Sequence, residues 1–241
     1  MNLDKNKPAL YLIPSSIGDG GYLNEAPVLN KEIISEIRHF IVENIKTAKR
    51  FIASCGLTDI IDDCTFYELN EHTDLKGISG YLDPILKNKV SMGVISEAGC
   101  PAVADPGAAA VELAHKKGIR VVPLPGPSSM ILSVMASGLN GQSFAFNGYL
   151  PAKDGEREKK LRSLEARACN ENQTQLFIET PYRNLKMFAS ILKVCKPSTR
   201  VCIASGLLSE SEFIKTKTVA EWKKSEEPPF NKVPAVFLIG R

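Results

Sequence analysis

The stretch MGVISEAGCPAVADPG, residues 92–107, decides the fold class of this chain. Its first five residues form a short apolar run of the kind found in buried strands, and the glycines and prolines that follow end that run. A helical pattern then extends from about residue 108 to Lys117 and stops at Gly118, a common helix C-cap. Residues 119–122 form the next apolar run. A strand, a turn, a helix and another strand in this order predict an α/β protein.

The same alternation continues on both sides of this stretch. Residues 9–13 predict a strand that ends at Pro14, and the apolar stripe over residues 33–45 predicts one core-facing helix. A weak strand is predicted at residues 51–53. Further strands are predicted at residues 143–147, 176–178, 201–204 and 236–239, and further helices at residues 128–137, 154–168 and 182–194. Because the prolines at 123, 125 and 127 interrupt regular structure, we expect two α/β domains, residues 1–122 and 123–241.

Composition excludes several classes of protein. The 44% hydrophobic and 24% charged residues are typical of a globular chain, and the net charge of +3 neither requires nor excludes a phosphate-rich partner. The six cysteines contain no Cys-x-x-Cys pair and the three histidines are scattered, which argues against a metal site. The polar start and the lack of a long apolar run argue against secretion and a membrane partner. We therefore expect reduced thiols and a cytoplasmic location.

Three turns rich in glycine and proline follow predicted strands, at residues 14–21, 97–107 and 123–129. Ligands of open α/β sheets bind beyond the carboxyl ends of strands, where glycines let backbone N–H groups approach them. Residues 18–21 match neither the dinucleotide fingerprint nor the P-loop. A single turn of this kind is common in any α/β protein and indicates little by itself. Three of them together predict a nucleotide-like ligand that backbone groups hold.

Six motifs along the chain point to one known family. They are PSSIG (14–18), SEAGCP (96–101), ADPG (104–107), VPLPGPS (122–128), GYLPAK (148–153) and ETPYR (179–183). In order and spacing they resemble the tetrapyrrole-methylase-like family of S-adenosylmethionine-dependent methyltransferases. Within it, the chain is most similar to bacterial enzymes that methylate a cytidine ribose 2′-oxygen of small-subunit ribosomal RNA. The resemblance covers nearly the whole chain.

This resemblance implies two α/β domains in a homodimer, with S-adenosylmethionine in the cleft between the domains and S-adenosylhomocysteine as product. It implies cofactor contacts at Gly99, Cys100, Pro101, Val103 and Ala104 for the methionine and ribose, and at Ser128 and Ser129 for the carboxylate or ribose. Around the adenine it implies Phe177, Ile178, Ala204, Pro234 and Ala235. The residues expected to face the methyl acceptor are Pro14, Ser15, Ser16, Ile17, Gly18 and Arg183.

Methyl transfer to a ribose oxygen also calls for a group that accepts the proton of the hydroxyl. No histidine lies in the recognised turns, so the candidates are the carboxylates Asp19, Glu97, Asp105 and Glu179. For Asp105 the alternative to a catalytic role is a turn or helix-capping role. For Glu179 the alternative is an ion pair with Arg183, four residues later. We interpret Cys100 as a packing residue rather than a nucleophile.

Several positions depart from the ribosomal pattern. That pattern has Glu-Asp-Thr-Arg after the first long helix, where this chain reads FIASCG (51–56), and Ala-Arg-Glu-Leu where it reads ASGL (204–207). The opening turn has DGG (19–21) in place of an Asn-Leu pair and a further aspartate. Three functions therefore stay open: methylation of RNA or a ribosomal subunit, methylation of a tetrapyrrole or other small molecule, and cofactor binding without transfer. The charged helix 154–168 predicts either a solvated face or an RNA contact.

Overall fold

The computed structural model describes residues 7–74 and 77–241. The chain divides into two compact units, Met1–Ser128 (the first unit) and Ser129–Arg241 (the second unit), and each contains a five-stranded sheet. The predicted α/β class is confirmed. The division follows Ser128 rather than residue 122 because the last strand of the first sheet includes Pro123, and the Leu124 N–H donates to Leu12 O at 2.9 Å.

The sheet of the first unit is parallel throughout, with the strand order β3-β2-β4-β1-β5. Its strands are β1 (Ala9–Ile13), β2 (His39–Val42), β3 (Thr65–Glu68), β4 (Met92–Ile95) and β5 (Arg120–Pro123). The α-helices are α1 (Tyr22–Glu25), α2 (Val28–Glu36), α3 (Ile45–Ser54), α4 (Asp83–Lys87) and α5 (Gly107–Lys116). Short 3-10 helices occupy Thr58–Asp63 and Gly77–Gly80.

The apolar stripe over residues 33–45 is not one helix, so that prediction is wrong. It spans the end of α2, all of β2 and the first residue of α3. Phe40 and Ile41 are both buried because β2 lies between β3 and β4 with both faces covered. A doubly covered strand has consecutive apolar residues, which can imitate the helical spacing. The strand predicted at residues 51–53 is also wrong, because those residues lie in α3, whose N-cap Asn44 accepts from the Lys46 and Thr47 N–H groups.

The second unit has a mixed sheet with the order β6-β7-β10-β8-β9, in which only the β6–β7 pair is parallel. Its strands are β6 (Phe144–Tyr149), β7 (Thr174–Glu179), β8 (Arg200–Ser205), β9 (Phe213–Thr218) and β10 (Ala235–Gly240). The α-helices are α6 (Ser129–Ser137), α7 (Asp154–Asn170), α8 (Asn184–Val194) and α9 (Val219–Trp222), with a 3-10 turn at Pro181–Arg183. Sequence patterning missed β9 because this edge strand is half polar.

Each sheet buries apolar side chains on both of its faces. In the first unit, Phe40 and Ile34 belong to the cluster on one face, and Ile41 and Val94 belong to the cluster on the other. In the second unit, α7 and α8 supply side chains to one face, and α6 contributes Val134 to the other. All six cysteines are free thiols. Within residues 7–74 and 77–241, no helix combines the length and the apolar character that spanning a bilayer requires.

Candidate functional site

The three predicted turns meet at one edge of the first sheet. Strands β4, β1 and β5 are parallel neighbours, so the turns after them leave from the same side. We call residues 14–21 the first turn, residues 96–107 the second turn and residues 124–128 the third turn. Topology alone thus brings the first turn together with the second and third turns, which begin about 80 and 110 residues after it in the sequence.

Backbone hydrogen bonds join the first turn to the second. The Ser15 N–H donates to Gly99 O at 2.8 Å, and the Gly99 N–H donates to Ser15 O at 3.2 Å. The buried Ser15 hydroxyl donates to Ser96 O at 2.5 Å, and the Ser96 hydroxyl donates to Gly99 O at 2.8 Å. Because both serines are buried and paired, these two turns form one rigid unit.

The third turn packs on the other two. The Cys100 thiol donates to Pro127 O at 3.5 Å, and a Cβ atom added to Gly126 would lie 2.5 Å from Pro14 Cβ. Burial raises the pKa of the Cys100 thiol, which keeps it protonated and agrees with its interpretation as a packing residue. Ser128 follows directly and is half-buried. The structure therefore assembles the predicted residues of the first unit into one cluster.

The second turn has an unusual backbone that Asp105 braces. Ala102 and Ala104 have φ values of 64° and 60°, in the left-handed region that residues with a Cβ atom rarely adopt. Asp105 Oδ1 accepts from the Ala102 N–H at 2.8 Å and from the Gly107 N–H at 2.7 Å. Burial raises the pKa of this carboxyl group despite the two hydrogen bonds. The brace leaves Val103 and Ala104 exposed at the surface of the cluster.

An acidic pocket of about 830 Å³ opens beside the second turn, at the carboxyl ends of β2 and β4. Its titratable lining residues are Glu43, Glu71, His72, Glu97 and Asp105. Glu97 Oε1 accepts from the Thr47 hydroxyl at 2.5 Å, and the Glu97 N–H donates to Glu43 Oε1 at 3.4 Å. Burial, and then the negative charges of Asp105 and Glu97, raise the pKa of Glu43. The pocket therefore suits groups that donate hydrogen bonds.

Glu43 is a site residue that sequence reasoning missed. The mistaken helix over residues 33–45 shifted the comparison with the ribosomal pattern to residues 51–56, which are the last turn of α3 and the two residues after it. The segment that follows β2 reads ENIK, residues 43–46, and it begins with an acidic residue and ends with a cation, as Glu-Asp-Thr-Arg does. The recognisable signal was the Asn44 cap, which places a helix start directly after the strand.

Two of the predicted proton acceptors, Asp19 and Glu179, are not among the residues that line this pocket. Asp19 is exposed in the first turn. Glu179 is buried at the end of β7 in the second unit, and its Oε1 accepts from Arg183 Nη2 at 2.6 Å and from the Thr180 N–H at 2.7 Å. This is the ion pair that the sequence offered as the alternative role of Glu179. Its part in catalysis, like that of Asp19, stays a prediction.

The predicted adenine contacts lie on neighbouring strands of the second sheet. Ile178 and Ala204 are both in register with Val236, so they share one face. Phe177 faces the other side, where its fully buried ring stacks on Phe237 with the ring centroids 5.7 Å apart. A contact through Phe177 would therefore use its backbone. Pro234 is exposed before Ala235, which is buried. All five remain predictions as adenine contacts.

Comparison with known proteins decides the family. The ribosomal RNA small subunit methyltransferase I of Mesorhizobium japonicum is 31% identical over 214 residues, covering 88% of this chain and 68% of that protein. This chain belongs to the ribosomal RNA small subunit methyltransferase I family. Relatives of the same name from Vibrio cholerae (28% identity, 89% and 70% of the two chains) and from Buchnera aphidicola of Schizaphis graminum (26%, 99% and 80%) agree. The predicted methyltransferase is thereby confirmed, although no protein-family model matches the chain.

Solved structures of other methyltransferases share the fold. The methyltransferase CobJ superposes with a TM-score of 0.62 at 16% identity and covers 97% of this chain and 94% of its own. A uroporphyrin-III C-methyltransferase from Thermus thermophilus, complexed with S-adenyl homocysteine, has a TM-score of 0.53 at 16% identity, with 97% of each chain covered. At these identities the likeness concerns the fold alone, and it confirms the predicted tetrapyrrole-methylase-like architecture.

Proposed function

We propose that this protein transfers the methyl group of S-adenosylmethionine to a ribose 2′-oxygen of small-subunit ribosomal RNA. The observation that carries the proposal is the similarity, over 88–99% of the chain, to proteins named ribosomal RNA small subunit methyltransferase I. The joined turns of the first unit supply a backbone cradle consistent with this. A small-molecule acceptor remains an outcome of the test below.

The residues of the turn cluster fit the proposed cofactor. Gly99 has a φ of +69°, in the left-handed region that favours glycine, and its lack of a side chain leaves the backbone open to a ligand. The exposed Val103 and Ala104 offer apolar contact, and the Ser128 hydroxyl group lies within hydrogen-bond distance of the Cys100 thiol. When bound, S-adenosylmethionine supplies an activated methyl group on a sulfonium. The protein then has to align the acceptor oxygen with that group.

The acidic pocket suits the acceptor nucleoside. Carboxylates accept hydrogen bonds from ribose hydroxyl groups and from the amino group of cytosine, whereas they repel phosphate. Among the predicted proton acceptors, Glu97 is exposed to this pocket, and Glu43 contacts its backbone. We propose that Glu97 takes the proton of the ribose hydroxyl.

The charges of the two units differ in a way that favours RNA binding by the second. Residues 129–241 contain 17 Lys and Arg against 11 Asp and Glu, and residues 1–128 contain 13 against 16. Most cations around α7 are in ion pairs: Lys193 and Arg162 with Glu158, and Lys186 with Asp154. Lys159 and Lys160 are exposed on α7, and Arg162 is exposed as well, since its pair with Glu158 is a long one, at 4.0 Å. These two lysines and Arg162 are the proposed phosphate contacts.

Removal of these cations should reduce the salt dependence of RNA binding. For the triple variant Lys159→Gln, Lys160→Gln, Arg162→Gln, the slope of log K against log salt concentration should fall by about 2, since each lost phosphate contact on single strands removes roughly 0.7. Filter binding between 50 and 300 mM salt measures the slope. Lys116→Gln, which removes a cation of α5 paired with Glu112, is the control. A slope that the triple variant leaves unchanged rejects α7 as the RNA contact.

The proposed activity is tested by methyl incorporation from radiolabelled S-adenosylmethionine. Small ribosomal subunits, total RNA and small-molecule extracts are offered separately, and calorimetry with S-adenosylhomocysteine measures cofactor binding. We expect label in small-subunit RNA at a position that resists alkaline cleavage, because a 2′-O-methyl group blocks attack on the adjacent phosphate. Label in the small-molecule fraction alone would assign the alternative acceptor, and binding without any transfer would indicate a binding module. Sedimentation of the same sample tests the proposed homodimer.

A further inference from the structure

We propose that Glu25 and Asn30 are positioning residues that hold the first and third turns separately, so that Glu25 governs acceptor binding and Asn30 governs cofactor binding. Both residues come from the segment of α1 and α2 between the first strand and β2. No motif of the sequence pointed to either of them. The inference rests on the proposed function, because it takes the first turn as the acceptor floor and the third turn as a cofactor contact.

Glu25 fastens the first turn through both of its carboxylate oxygens. Oε1 accepts from the Ser16 hydroxyl at 2.5 Å and from the Gly18 N–H at 3.3 Å, and Oε2 accepts from the Ile17 N–H at 2.9 Å. Three consecutive residues of the turn thus converge on one anion. Hydrogen bonds to a charged acceptor are roughly twice as strong as neutral ones. Glu25 therefore sets the backbone of the turn.

Asn30, the first buried residue of α2, holds the third turn in place. Its amide Nδ2 donates to Pro125 O at 2.8 Å and to the Tyr22 hydroxyl at 2.8 Å. Asn30 is fully buried, and burial raises the pKa of Tyr22 to about 12, so the phenol stays neutral beside it. Pro125 has no N–H group and lies between Leu124 and Gly126, so the contact at its carbonyl fixes the path of the turn.

The segment that carries Glu25 and Asn30 is itself anchored to the core. Tyr22, Ile33 and Ile34 are buried in one cluster with the β1 side chains, and the Tyr22 ring packs edge-on against Phe51 at 4.8 Å between centroids. Pro27 separates α1 from α2 and restricts the angle between them. Glu25 contacts the first turn and Asn30 contacts the third turn, so each contact can be removed while the other stays. The experiment below measures whether their effects are separate.

Glu25→Gln tests the contact with the first turn, and Glu32→Gln is its matched control. Glu32 is an exposed carboxylate on α2. In Glu25→Gln, hydrogen exchange at the Ile17 and Gly18 amides should accelerate about tenfold or more, since one acceptor oxygen becomes a donor group. The KM for the RNA acceptor should rise about tenfold, while kcat and the Kd of S-adenosylhomocysteine change less than about twofold. The control should change none of these quantities.

Asn30→Ala tests the contact with the third turn, and Tyr22→Phe is its control. The phenylalanine removes the other partner of the Asn30 amide but leaves the bond to Pro125 O. We expect the Kd of S-adenosylhomocysteine to rise about tenfold in Asn30→Ala and less than about twofold in Tyr22→Phe, with the acceptor KM unchanged in both. If both variants weaken binding equally, packing of the segment explains the effect and the positioning role of Asn30 is overturned.

The outcomes separate this inference from the proposed function. Exchange at Ile17 and Gly18 is measured on the protein alone, so it tests the Glu25 contact even if no methyl transfer is found in wild type. An unchanged exchange rate in Glu25→Gln overturns the inference and leaves the proposed activity standing. Variants that raise the acceptor KM and the cofactor Kd together, at either position, overturn the separate control of the two turns.

Discussion

Gly126→Ala should lower the free energy of unfolding by about 1–3 kcal/mol, the usual cost of an overpacked site, and weaken binding of S-adenosylhomocysteine at least about tenfold. The added Cβ atom would lie 2.5 Å from Pro14 Cβ and 2.7 Å from Pro14 Cγ, distances that real Cβ contacts do not show. The first or the third turn would have to move. Either movement separates the predicted cofactor residues, because the two turns share this contact.

Pro14 and Gly126 have little freedom to relax. The ring of Pro14 is rigid, and Ser15 beside it is held in the paired bridge with Gly99. On the other side, the Leu124 N–H donates to Leu12 O at 2.9 Å, which fixes the start of the third turn. The strain of the added methyl group is therefore expected to spread into both turns rather than into a flexible side chain.

Gly20→Ala is the matched control for this substitution. Gly20 lies in the first turn, and a Cβ atom added there meets nothing within 4 Å. Urea unfolding and calorimetric titration of wild type and both variants measure the two effects. Wild-type cofactor affinity in Gly126→Ala would show that the packing of the first and third turns does not support the cofactor site.

Asp105→Ala should destabilise the protein by about 2–4 kcal/mol, because it removes the carboxylate oxygen that accepts from the Ala102 and Gly107 N–H groups within the second turn. The two alanines with positive φ would then lose the brace that holds their backbone. Cofactor binding should weaken with the turn. Asp105→Asn retains an Oδ1 atom that accepts both hydrogen bonds, so it should keep most of the stability and most of the affinity.

Wild type and Asp105→Asn together test the pH dependence that Asp105 confers. Burial raises the folded-state pKa of Asp105 above its ordinary value of 3.8, so between these two values the folded protein binds more protons than the unfolded chain. Its contribution to stability is complete below pH 3.8 and is lost as the pH rises through the folded-state pKa. The unfolding free energy of wild type minus that of Asp105→Asn should therefore fall as the pH rises from about 4. A flat difference would show that Asp105 is not desolvated.

The strand, turn and helix units around residues 92–107 were predictable because their signals are local. Glycine and proline end the apolar runs, and the observed α5 and β5 lie within one or two residues of their predicted bounds. The prediction failed at β2, where burial on both faces made consecutive apolar residues look like one side of a helix. That error hid Glu43, since the site residue follows the strand that was not recognised.

By itself, the sequence determined the α/β class, the turns that carry the family motifs and the interpretation of Cys100 as a packing residue. Only the tertiary structure decided that these turns touch. Their contact depends on the strand order β4-β1-β5, which long-range hydrogen bonding sets and no local pattern encodes. It also determined the hydrogen-bond partners of Glu25, Asn30 and Glu43, because a carboxylate or an amide bonds to whatever donor or acceptor the fold places within about 3 Å of it.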